Sequence, residues 1–328
     1  MLPQSMNAVT ITGPGGPEVL VPVRRPLPVP GPRELLVRVA AAGLNRHDVG
    51  QRRRGTPPPG ATDIPGLEVA GEVVAAGAAV SAFRAGDRVC ALVNGGGYAE
   101  YCLADERATL PWPGGIPDLA AAALPEALFT LWHNLCELCE LRAGDWLLLH
   151  GATSGVGSIG IQLARELGAQ VLATAGSAEK CAAALRLGAR AACNYRSEDF
   201  VAMVQSATGG HGADLILDMA GGLYAERNLQ ALAADGRISH LTTQPEPRYS
   251  APLELIMRKR ARITGSMVRP LPIERKERIA AALRERVWPL IGTRIVPLID
   301  TEFPLAQAGA AHARLESGEH IGKVLLRP

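Results

Sequence analysis

A glycine-rich turn is the feature of the sequence with the clearest chemical meaning. The run His150-Gly-Ala-Thr-Ser-Gly-Val-Gly-Ser-Ile-Gly160 contains the spacing Gly155-x-Gly157-x-x-Gly160, after an apolar run and before another one. In such a turn the first glycine permits the bend, the second lets the backbone approach a pyrophosphate, and the third lets helix and strand pack closely. Glycine turns also serve packing alone, but between a predicted strand and a predicted helix this one indicates a dinucleotide site.

The end of the next predicted strand bears on which dinucleotide is bound. An Asp or Glu there takes the free 2′-hydroxyl of the adenosine ribose, whereas a basic residue takes a 2′-phosphate. Here the strand ends Leu172-Ala-Thr-Ala-Gly-Ser177 without a carboxylate, and Lys180 follows within one turn. Lys180 alone could be a solvated helix lysine, but with Ser177 and the missing acid it favours NADPH. Tyr195, after the third strand, could contact the adenosine end or be a half-buried structural tyrosine.

Two regions of different pattern surround these residues. The first third alternates short apolar runs with Gly and Pro, which predicts a β-rich domain. From Pro125 onward strands alternate with helices, which indicates βαβ units on a parallel sheet covered on both faces. The alternation stops after residues 263–267, and the remaining elements are expected to rejoin the first domain. The predicted domains are therefore 1–125 with 269–328, and 126–268.

The individual elements follow from runs bounded by turn residues. The predicted elements are the strands 6–11, 35–40, 69–74 and 87–93, the helix 127–140, the strand 145–150, a helix after the glycine turn, the strand 170–174, the helix 178–187, the strand 191–194, the helix 197–208, the strand 213–218, the helix 224–233, the strand 236–241, the helix 273–290, the segments 295–298 and 305–316, and the strand 322–326. The two basic clusters, Arg52 to Arg54 and Arg258 to Arg262, are expected on solvated loops.

Composition narrows the class of protein. The 328 residues carry 34 basic and 32 acidic side chains, so the near-zero net charge gives no reason to expect nucleic acid or an anionic membrane as partner. No run approaches the ~20 apolar residues that span a bilayer. The start lacks the features of a signal peptide, and six scattered cysteines do not form a disulfide framework. The composition predicts a cytoplasmic globular protein.

Several motifs together resemble the medium-chain dehydrogenase/reductase superfamily. They are Gly66-Leu-Glu-Val-Ala-Gly-Glu-Val, Phe83-Arg-Ala-Gly-Asp-Arg-Val, Gly95-Gly-Gly-Tyr-Ala-Glu-Tyr, Pro125-Glu-Ala, the Ser-Gly-Val-Gly turn, Thr174-Ala-Gly-Ser, Cys193-Asn-Tyr-Arg-Ser-Glu-Asp-Phe and Ile321-Gly-Lys-Val. The likeness extends from Met6 to Leu326, and the motifs together look like the zinc-free, zeta-crystallin type of NAD(P)H:quinone oxidoreductase. Within that type it is most similar to the subgroup whose animal member is induced by a tumour suppressor.

The resemblance implies an α/β fold in which a Rossmann domain, a doubly wound parallel sheet, interrupts a GroES-like, β-rich catalytic domain. It also implies an active site in the cleft between them, NADPH as cofactor, a homodimer, and Asn45 beside the nicotinamide. The family positions that would bind NADPH are Asn45, Thr130, Ser154, Gly155, Val156, Gly157, Gly176, Ser177, Lys180, Tyr195, Ala220, Leu241, Ser266, Met267, Val268 and Lys323. Relatives often carry a tyrosine before the proline run that follows Arg52-Arg-Arg-Gly-Thr, so the substrate mouth is expected to differ here.

The superfamily also contains zinc enzymes, whose catalytic metal needs a Cys in Gly-x-Cys-x-x-Asp and a His in Gly-His-Glu. The matching positions hold Asn45 and Leu67, neither of which is a ligand that zinc prefers. Cys136 and Cys139 have metal-like spacing but no second pair nearby, so core cysteines are expected. Asp48 is expected to cap its own loop. The sequence therefore predicts an enzyme without a metal.

Hydride transfer to a quinone suits a site without a metal. A quinone is already a good hydride acceptor, so the protein has to position cofactor and acceptor in a dry cleft. Asn45 could bond the forming quinolate or the cofactor ribose, and no general acid stands out. The sequence thus predicts an NADPH-dependent quinone oxidoreductase. Two alternatives stay open: a reductase of activated C=C bonds in enals or enones, and a non-catalytic nucleotide- or RNA-binding relative.

A second copy of the chain is the expected protein partner. An open parallel sheet ends in an edge strand whose unpaired backbone groups invite a symmetric neighbour. The predicted dimer edge is either Arg237 to Leu241 or Ala261 to Ser266, both of which are apolar enough to be covered. A monomer with a helix or loop over that edge is the alternative.

Overall fold

Runs rich in proline and glycine separate the strands of the first third. The computed structural model describes residues 2–243 and 245–328. Its first elements are β1 (Ser5–Ile11), β2 (Leu20–Pro26), β3 (Glu34–Gly43), α1 (Arg46–Arg54), β4 (Glu68–Ala76), β5 (Arg88–Leu92), β6 (Tyr101–Asp105) and β7 (Thr109–Pro111). Short 3₁₀ turns lie at Pro17–Val19, Glu106–Ala108 and Asp118–Ala123.

The alternating pattern that begins near Pro125 gives the expected succession of helices and strands. The elements are α2 (Pro125–Leu131), a π-helical segment (Trp132–Leu138), β8 (Trp146–Leu149), α3 (Gly155–Glu166), β9 (Gln170–Ala175), α4 (Ala178–Leu187), β10 (Ala191–Asn194), α5 (Phe200–Ala207), β11 (Ala213–Asp218), a 3₁₀ turn (Gly221–Tyr224), α6 (Ala225–Ala231), β12 (Leu232–His240), α7 (Leu253–Lys259) and β13 (Arg262–Gly265). The bounds of α4, β10 and β11 coincide with the prediction.

The chain ends in mixed structure. Its elements are α8 (Ile273–Arg286), a 3₁₀ turn (Trp288–Leu290), β14 (Ile299–Pro304), a 3₁₀ turn (Leu305–Gln307), α9 (Ala308–Ser317) and β15 (Lys323–Arg327). None of the helices among the described residues has the length and apolar content needed to cross a bilayer.

Two compact units result. One consists of the residues up to Phe129 together with Leu271–Pro328, and the other of Thr130–Pro270. In the first unit, β1 and β2 form a two-stranded sheet, and a seven-stranded sheet has the order β14-β15-β3-β4-β5-β7 with β6 also paired to β3. Because β15 pairs with β3, the end of the chain returns to the unit in which it began.

The second unit is a six-stranded sheet with the order β10-β9-β8-β11-β12-β13, parallel at every pairing. Numbered within the unit this is 3-2-1-4-5-6, the order of a Rossmann dinucleotide-binding sheet. The buried faces of the strands carry aliphatic side chains, with Phe200 of α5 packed against them. The α/β prediction, a GroES-like unit interrupted by a Rossmann sheet, is confirmed.

Several sequence predictions about local structure are wrong. The helix expected over 127–140 begins at Pro125 and becomes π-helical from Trp132. The helix expected over 224–233 ends at Ala231, because β12 begins at the next residue. The first basic cluster is not a loop, because residues 52–54 belong to α1. In the second, residues 258–259 end α7 and Arg262 begins β13, so that only residues 260–261 form a loop.

Candidate functional site

The glycine turn joins β8 to α3 and has the geometry of an anion cradle. Gly151 adopts a φ of +68°, in the left-handed region that favours glycine. Ser154 is the N-cap of α3, and its Oγ accepts a hydrogen bond from the backbone N–H of Gly157 at 3.0 Å. The first turn of this twelve-residue helix contains Gly155 and Val156 and presents backbone N–H groups at its positive end. The residues therefore fit a pyrophosphate.

Packing restricts the two later glycines of the motif to different degrees. A Cβ on Gly157 would lie 2.3 Å from the carbonyl oxygen of Gly151, which is a backbone clash. A Cβ on Gly160 would instead meet the side-chain methyl groups of Leu149 and Leu131, at 2.8 and 3.0 Å. The second glycine is thus needed for the turn itself, and the third lets α3 lie close to the sheet, the role predicted for it.

A second group of predicted residues gathers where β9 and β10 end. Ser177 is the N-cap of α4, and its Oγ accepts from the backbone N–H of Lys180 at 3.2 Å. Tyr195 is joined to the end of β9, since its N–H donates to the oxygen of Ala175 at 3.1 Å. A Cβ on Gly176 would lie 2.8 Å from Tyr195 Oη, so only glycine leaves the ring this position. The carboxyl ends of β9 and β10 thus bring four predicted residues together: Gly176, Ser177, Lys180 and Tyr195.

The remaining predicted residues of this unit follow the ends of β11, β12 and β13. Ala220 N–H donates to Asp218 Oδ1 at 2.5 Å, and Gly221 N–H donates to the same oxygen at 3.1 Å, so Asp218 orders this turn. Leu241 N–H donates to the carbonyl oxygen of Asp218 at 2.9 Å. The last three predicted residues lie just after β13; Ser266 is half-buried, Met267 is exposed and Val268 is buried.

A chain of hydrogen bonds between buried side chains leads from Thr174 to Asp218, the last residue of β11. Thr174 Oγ1 lies 2.8 Å from His150 Nδ1, His150 Nε2 lies 2.9 Å from Asn228 Oδ1, and Asn228 Nδ2 donates to Asp218 Oδ2 at 2.9 Å. Burial lowers the pKa of His150, which keeps the ring neutral. Burial would raise the pKa of Asp218, but hydrogen bonds from His240 and Ala220 outweigh it and lower the pKa below its ordinary value. Asp218 is therefore ionised and fully bonded.

Asn134, which the sequence reasoning missed, connects two of the predicted residues. It lies in the π-helical segment, four residues after Thr130, and its Nδ2 donates to the oxygen of Thr130 at 2.8 Å. Its Oδ1 accepts from Ser239 Oγ at 2.7 Å and from Ser266 Oγ at 3.0 Å. π-helical turns are frequent at functional sites. A buried amide between two predicted cofactor positions has no signature in the linear sequence.

In the other unit, Asn45 and Lys323 are brought together around a buried carboxylate. Lys323 forms an ion pair with Glu68 and donates to Asn45 Oδ1 at 2.6 Å, with only 4% of its side chain exposed. The Nδ2 of Asn45 donates to Glu68 Oε1 at 3.0 Å and to Gly43 O at 3.4 Å. Both amide hydrogens are thus engaged within the cluster, and a contact of Asn45 with the forming quinolate or the cofactor ribose stays a prediction. Its Oδ1 retains a second lone pair for a hydroxyl donor such as a ribose.

The loop of Asn45 is held by Asp48, as predicted. Asn45 N–H donates to Asp48 Oδ2 at 2.9 Å, and the backbone N–H of Gly66 donates to Asp48 Oδ1 at 3.3 Å. Tyr98 Oη donates to Asp48 Oδ2 at 3.2 Å. Burial, together with the neighbouring Asp48 charge, raises the pKa of Tyr98 well above its ordinary value, so the phenol stays a donor.

Arg52 extends this network and is buried, which corrects the prediction of a solvated loop. Its guanidinium bonds both oxygens of Glu316, at 2.7 and 3.0 Å, and its Nη1 lies 3.2 Å from His312 Nδ1. Burial and the Arg52 charge lower the pKa of His312 to about 3, so the ring is neutral and its Nε2–H faces Tyr98 Oη at 3.0 Å. Arg52 therefore ties α1 to α9 and cannot serve a substrate mouth.

Cysteine and acidic clusters do not suggest a metal centre. Cys139 is buried, burial raises the pKa of its thiol to about 11, and Cys136 lies one turn earlier in the π-helical segment. Over residues 2–243 and 245–328 no group of three His, Cys, Asp or Glu side chains has the arrangement of a metal site. The positions of Asn45 and Leu67 carry no zinc ligand.

Comparison with known proteins gives consistent matches over the whole chain. Residues 31–114 match the family described as alcohol dehydrogenase GroES-like domain, and residues 155–285 match the family described as zinc-binding dehydrogenase. The quinone oxidoreductase of Rattus norvegicus is 32% identical over 334 residues, covering 98% of this chain and 97% of that protein.

Two solved structures are similar throughout. The Escherichia coli quinone oxidoreductase complexed with NADPH superposes with a TM-score of 0.87 at 29% identity, covering 98% of this chain and all of that one. A structure described as an NAD-dependent alcohol dehydrogenase gives a TM-score of 0.86 at 32% identity with the same coverage. These two structures are about equally similar to this chain, but their names give different cofactors and substrates. The cofactor and substrate of this chain therefore have to be inferred from its own residues.

Proposed function

The chain belongs to the medium-chain dehydrogenase/reductase superfamily and is an oxidoreductase, and we propose that it uses NADPH to reduce a quinone without a metal. The observation that carries this proposal is the pair of sites on the Rossmann sheet. The turn capped by Ser154 fits a pyrophosphate, and the end of β9 offers Ser177 and Lys180 where an NADH enzyme needs a carboxylate. The similarity to quinone oxidoreductases supports the choice of acceptor.

In this mechanism the protein acts by binding and orientation. NADPH supplies the hydride when it is bound, and a quinone accepts it without a Lewis acid because reduction restores aromaticity. Ser154 and the N-terminus of α3 hold the pyrophosphate, and Asp218 fixes the turn at Ala220 beside the next strand end. Asn134 holds Thr130 and Ser266 in place. Such preorganised positioning is sufficient for large rate enhancements when the acceptor is intrinsically reactive.

A ranking of acceptors tests the proposal. Purified protein should consume NADPH readily with simple quinones and slowly or not at all with enals and enones. Faster turnover with the enals would favour the C=C reductase over the quinone reductase, since both reactions use the same hydride donor. A salt-sensitive shift of RNA without any NADPH consumption would instead point to the non-catalytic alternative.

We predict activity without bound zinc. Asn45 and Leu67 stand where zinc-dependent relatives need Cys and His, and the Lys323 ammonium already neutralises Glu68. Protein purified without added metal should contain well under one zinc per chain, and chelators should leave NADPH consumption unchanged. A stoichiometric zinc whose removal abolishes activity would contradict the proposal.

We also propose a homodimer through β13. The alternative edge, Arg237 to Leu241, is wrong because β12 lies inside the sheet between β11 and β13. β13 is an edge strand of the sheet, and Ile263 in it and Met267 just after it expose 37% and 62% of their surface. Since Ser266 N–H donates to His240 O at 3.2 Å, the alternation of backbone groups directs Thr264 N–H toward β12 and Ile263 N–H outward.

The dimer prediction is therefore tested at Ile263. Light scattering at micromolar concentration should give the mass of two chains for the native protein. Ile263→Pro removes an outward-facing donor from an edge position that tolerates proline, so it should produce a folded monomer. Ile263→Thr keeps the N–H and should remain dimeric. A dimer that survives Ile263→Pro, or a monomeric native protein, would overturn this interface.

A further inference from the structure

Arg196 is a cation at the NADPH end of the sheet that neither the glycine motif nor the absent carboxylate identifies. It follows Tyr195 directly after β10, and β10 and β9 run parallel with Asn194 opposite Ala175. Residues 176 and 196 therefore follow the carboxyl ends of two neighbouring strands. The backbone N–H of Arg196 donates to Asn194 Oδ1 at 3.2 Å, which fixes the start of the segment after the strand.

The side chain of Arg196 reaches back toward the end of β9. A Cβ placed on Gly176 would lie 3.5 Å from Arg196 Nε and 2.8 Å from Tyr195 Oη. The guanidinium and the phenol thus both lie against the side of Gly176 on which any other residue would carry its Cβ. Ser177, the next residue, accepts the N–H of Lys180 at its Oγ and keeps its own hydroxyl hydrogen for an acceptor.

The guanidinium of Arg196 is exposed, and among the described residues it has no carboxylate partner. By contrast, Arg227 of the same unit pairs with Asp199 at 2.8 Å. A guanidinium with five donors in a planar fork suits a phosphate better than an ammonium does, because it can bond two oxygens at once. A dianionic phosphate beside Gly176 would therefore be bound by the guanidinium of Arg196 as well as by the ammonium of Lys180.

We propose that Arg196 is a second residue that binds the 2′-phosphate of NADPH, so that the preference for NADPH over NADH is divided between Arg196 and Lys180. The inference rests on the proposed use of NADPH and deepens it. Ser177 and Lys180 approach the phosphate from the first turn of α4, and Arg196 approaches it from the end of β10. Tyr195 closes the space beside Gly176 and is expected to lie along the adenosine.

The test is a set of binding measurements on the whole protein, which do not depend on the identity of the acceptor. Dissociation constants of NADPH, NADH and 2′,5′-ADP are measured by calorimetry for the native protein and for Arg196→Ala, Arg196→Lys and Lys180→Ala. Arg196→Ala should weaken NADPH and 2′,5′-ADP by about tenfold and NADH by less than twofold, in line with one lost charge-assisted bond in a partly solvated site. Arg196→Lys should recover part of the loss.

Arg186→Ala is the matched control, since it removes an exposed arginine from the far end of α4 and should change none of the constants. If Arg196→Ala leaves NADPH binding unchanged, or weakens the binding of NADPH and NADH equally, Arg196 does not bind the 2′-phosphate. That result would not affect a preference of the native protein for NADPH. If the native protein binds NADH as tightly as NADPH, the proposed cofactor fails as well. The two failures are thus distinguishable.

Discussion

Replacing Gly157 with alanine is expected to weaken NADPH binding by about 10²-fold, which corresponds to roughly 1.5–3 kcal/mol for a lost hydrogen bond to the charged pyrophosphate. The new Cβ would lie 2.3 Å from the oxygen of Gly151 and 2.8 Å from the carbonyl carbon of Ala152. These atoms belong to the backbone of the turn, so the turn has to move, and the bond from Gly157 N–H to Ser154 Oγ moves with it. Calorimetric titration with NADPH measures the loss.

Gly160→Ala is the matched control for this variant. Its Cβ would also come close to neighbours, but these are methyl groups of Leu149 and Leu131 that can rotate away. Alanine additionally gains about 1 kcal/mol of helix propensity over glycine, which offsets part of the crowding. Gly160→Ala should therefore bind NADPH within a few-fold of the native protein. Equal losses in both variants would show that the turn does not set the pyrophosphate site.

Replacing Lys323 with methionine is expected to lower the free energy of unfolding of its unit by about 3–5 kcal/mol, the usual cost of leaving one member of a buried ion pair without its partner. Glu68 is fully buried, and once the ammonium is lost the described part of the chain would leave it two neutral donors, Asn45 Nδ2 and the N–H of Glu126. Urea titration, monitored separately by fluorescence and circular dichroism because two units need not unfold together, measures the change.

A double variant separates charge from packing in this cluster. Lys323→Met combined with Glu68→Gln removes both charges and should recover a substantial part of the stability lost in Lys323→Met, since no unpaired carboxylate is left buried. Arg327→Met, at the exposed end of β15, is the control and should change little. If Lys323→Met is as stable as the native protein, Glu68 does not depend on this ion pair.

The sequence by itself determined the features that depend on neighbours a few residues apart. The alternation of apolar strand runs with helices sufficed to predict the parallel sheet, and α4, β10 and β11 have the predicted bounds. The glycine turn and the N-cap at Ser177 were likewise predictable, because a tight turn and a helix start require particular residue types at fixed spacing. The absence of a carboxylate after β9 needed no structure to be seen.

Only the tertiary structure decided the features that join distant parts of the chain. Arg52 was predicted to be solvated because its partner Glu316 lies 264 residues away, and a buried ion pair leaves no local pattern. The same holds for Lys323 beside Asn45, which are 278 residues apart, and for Arg196 over Gly176. The edge position of β13 also followed from strand order alone, since apolar runs look the same in the middle of a sheet and at its edge. Local backbone preferences reach only a few residues, whereas burial and pairing depend on which segments the whole fold places in contact.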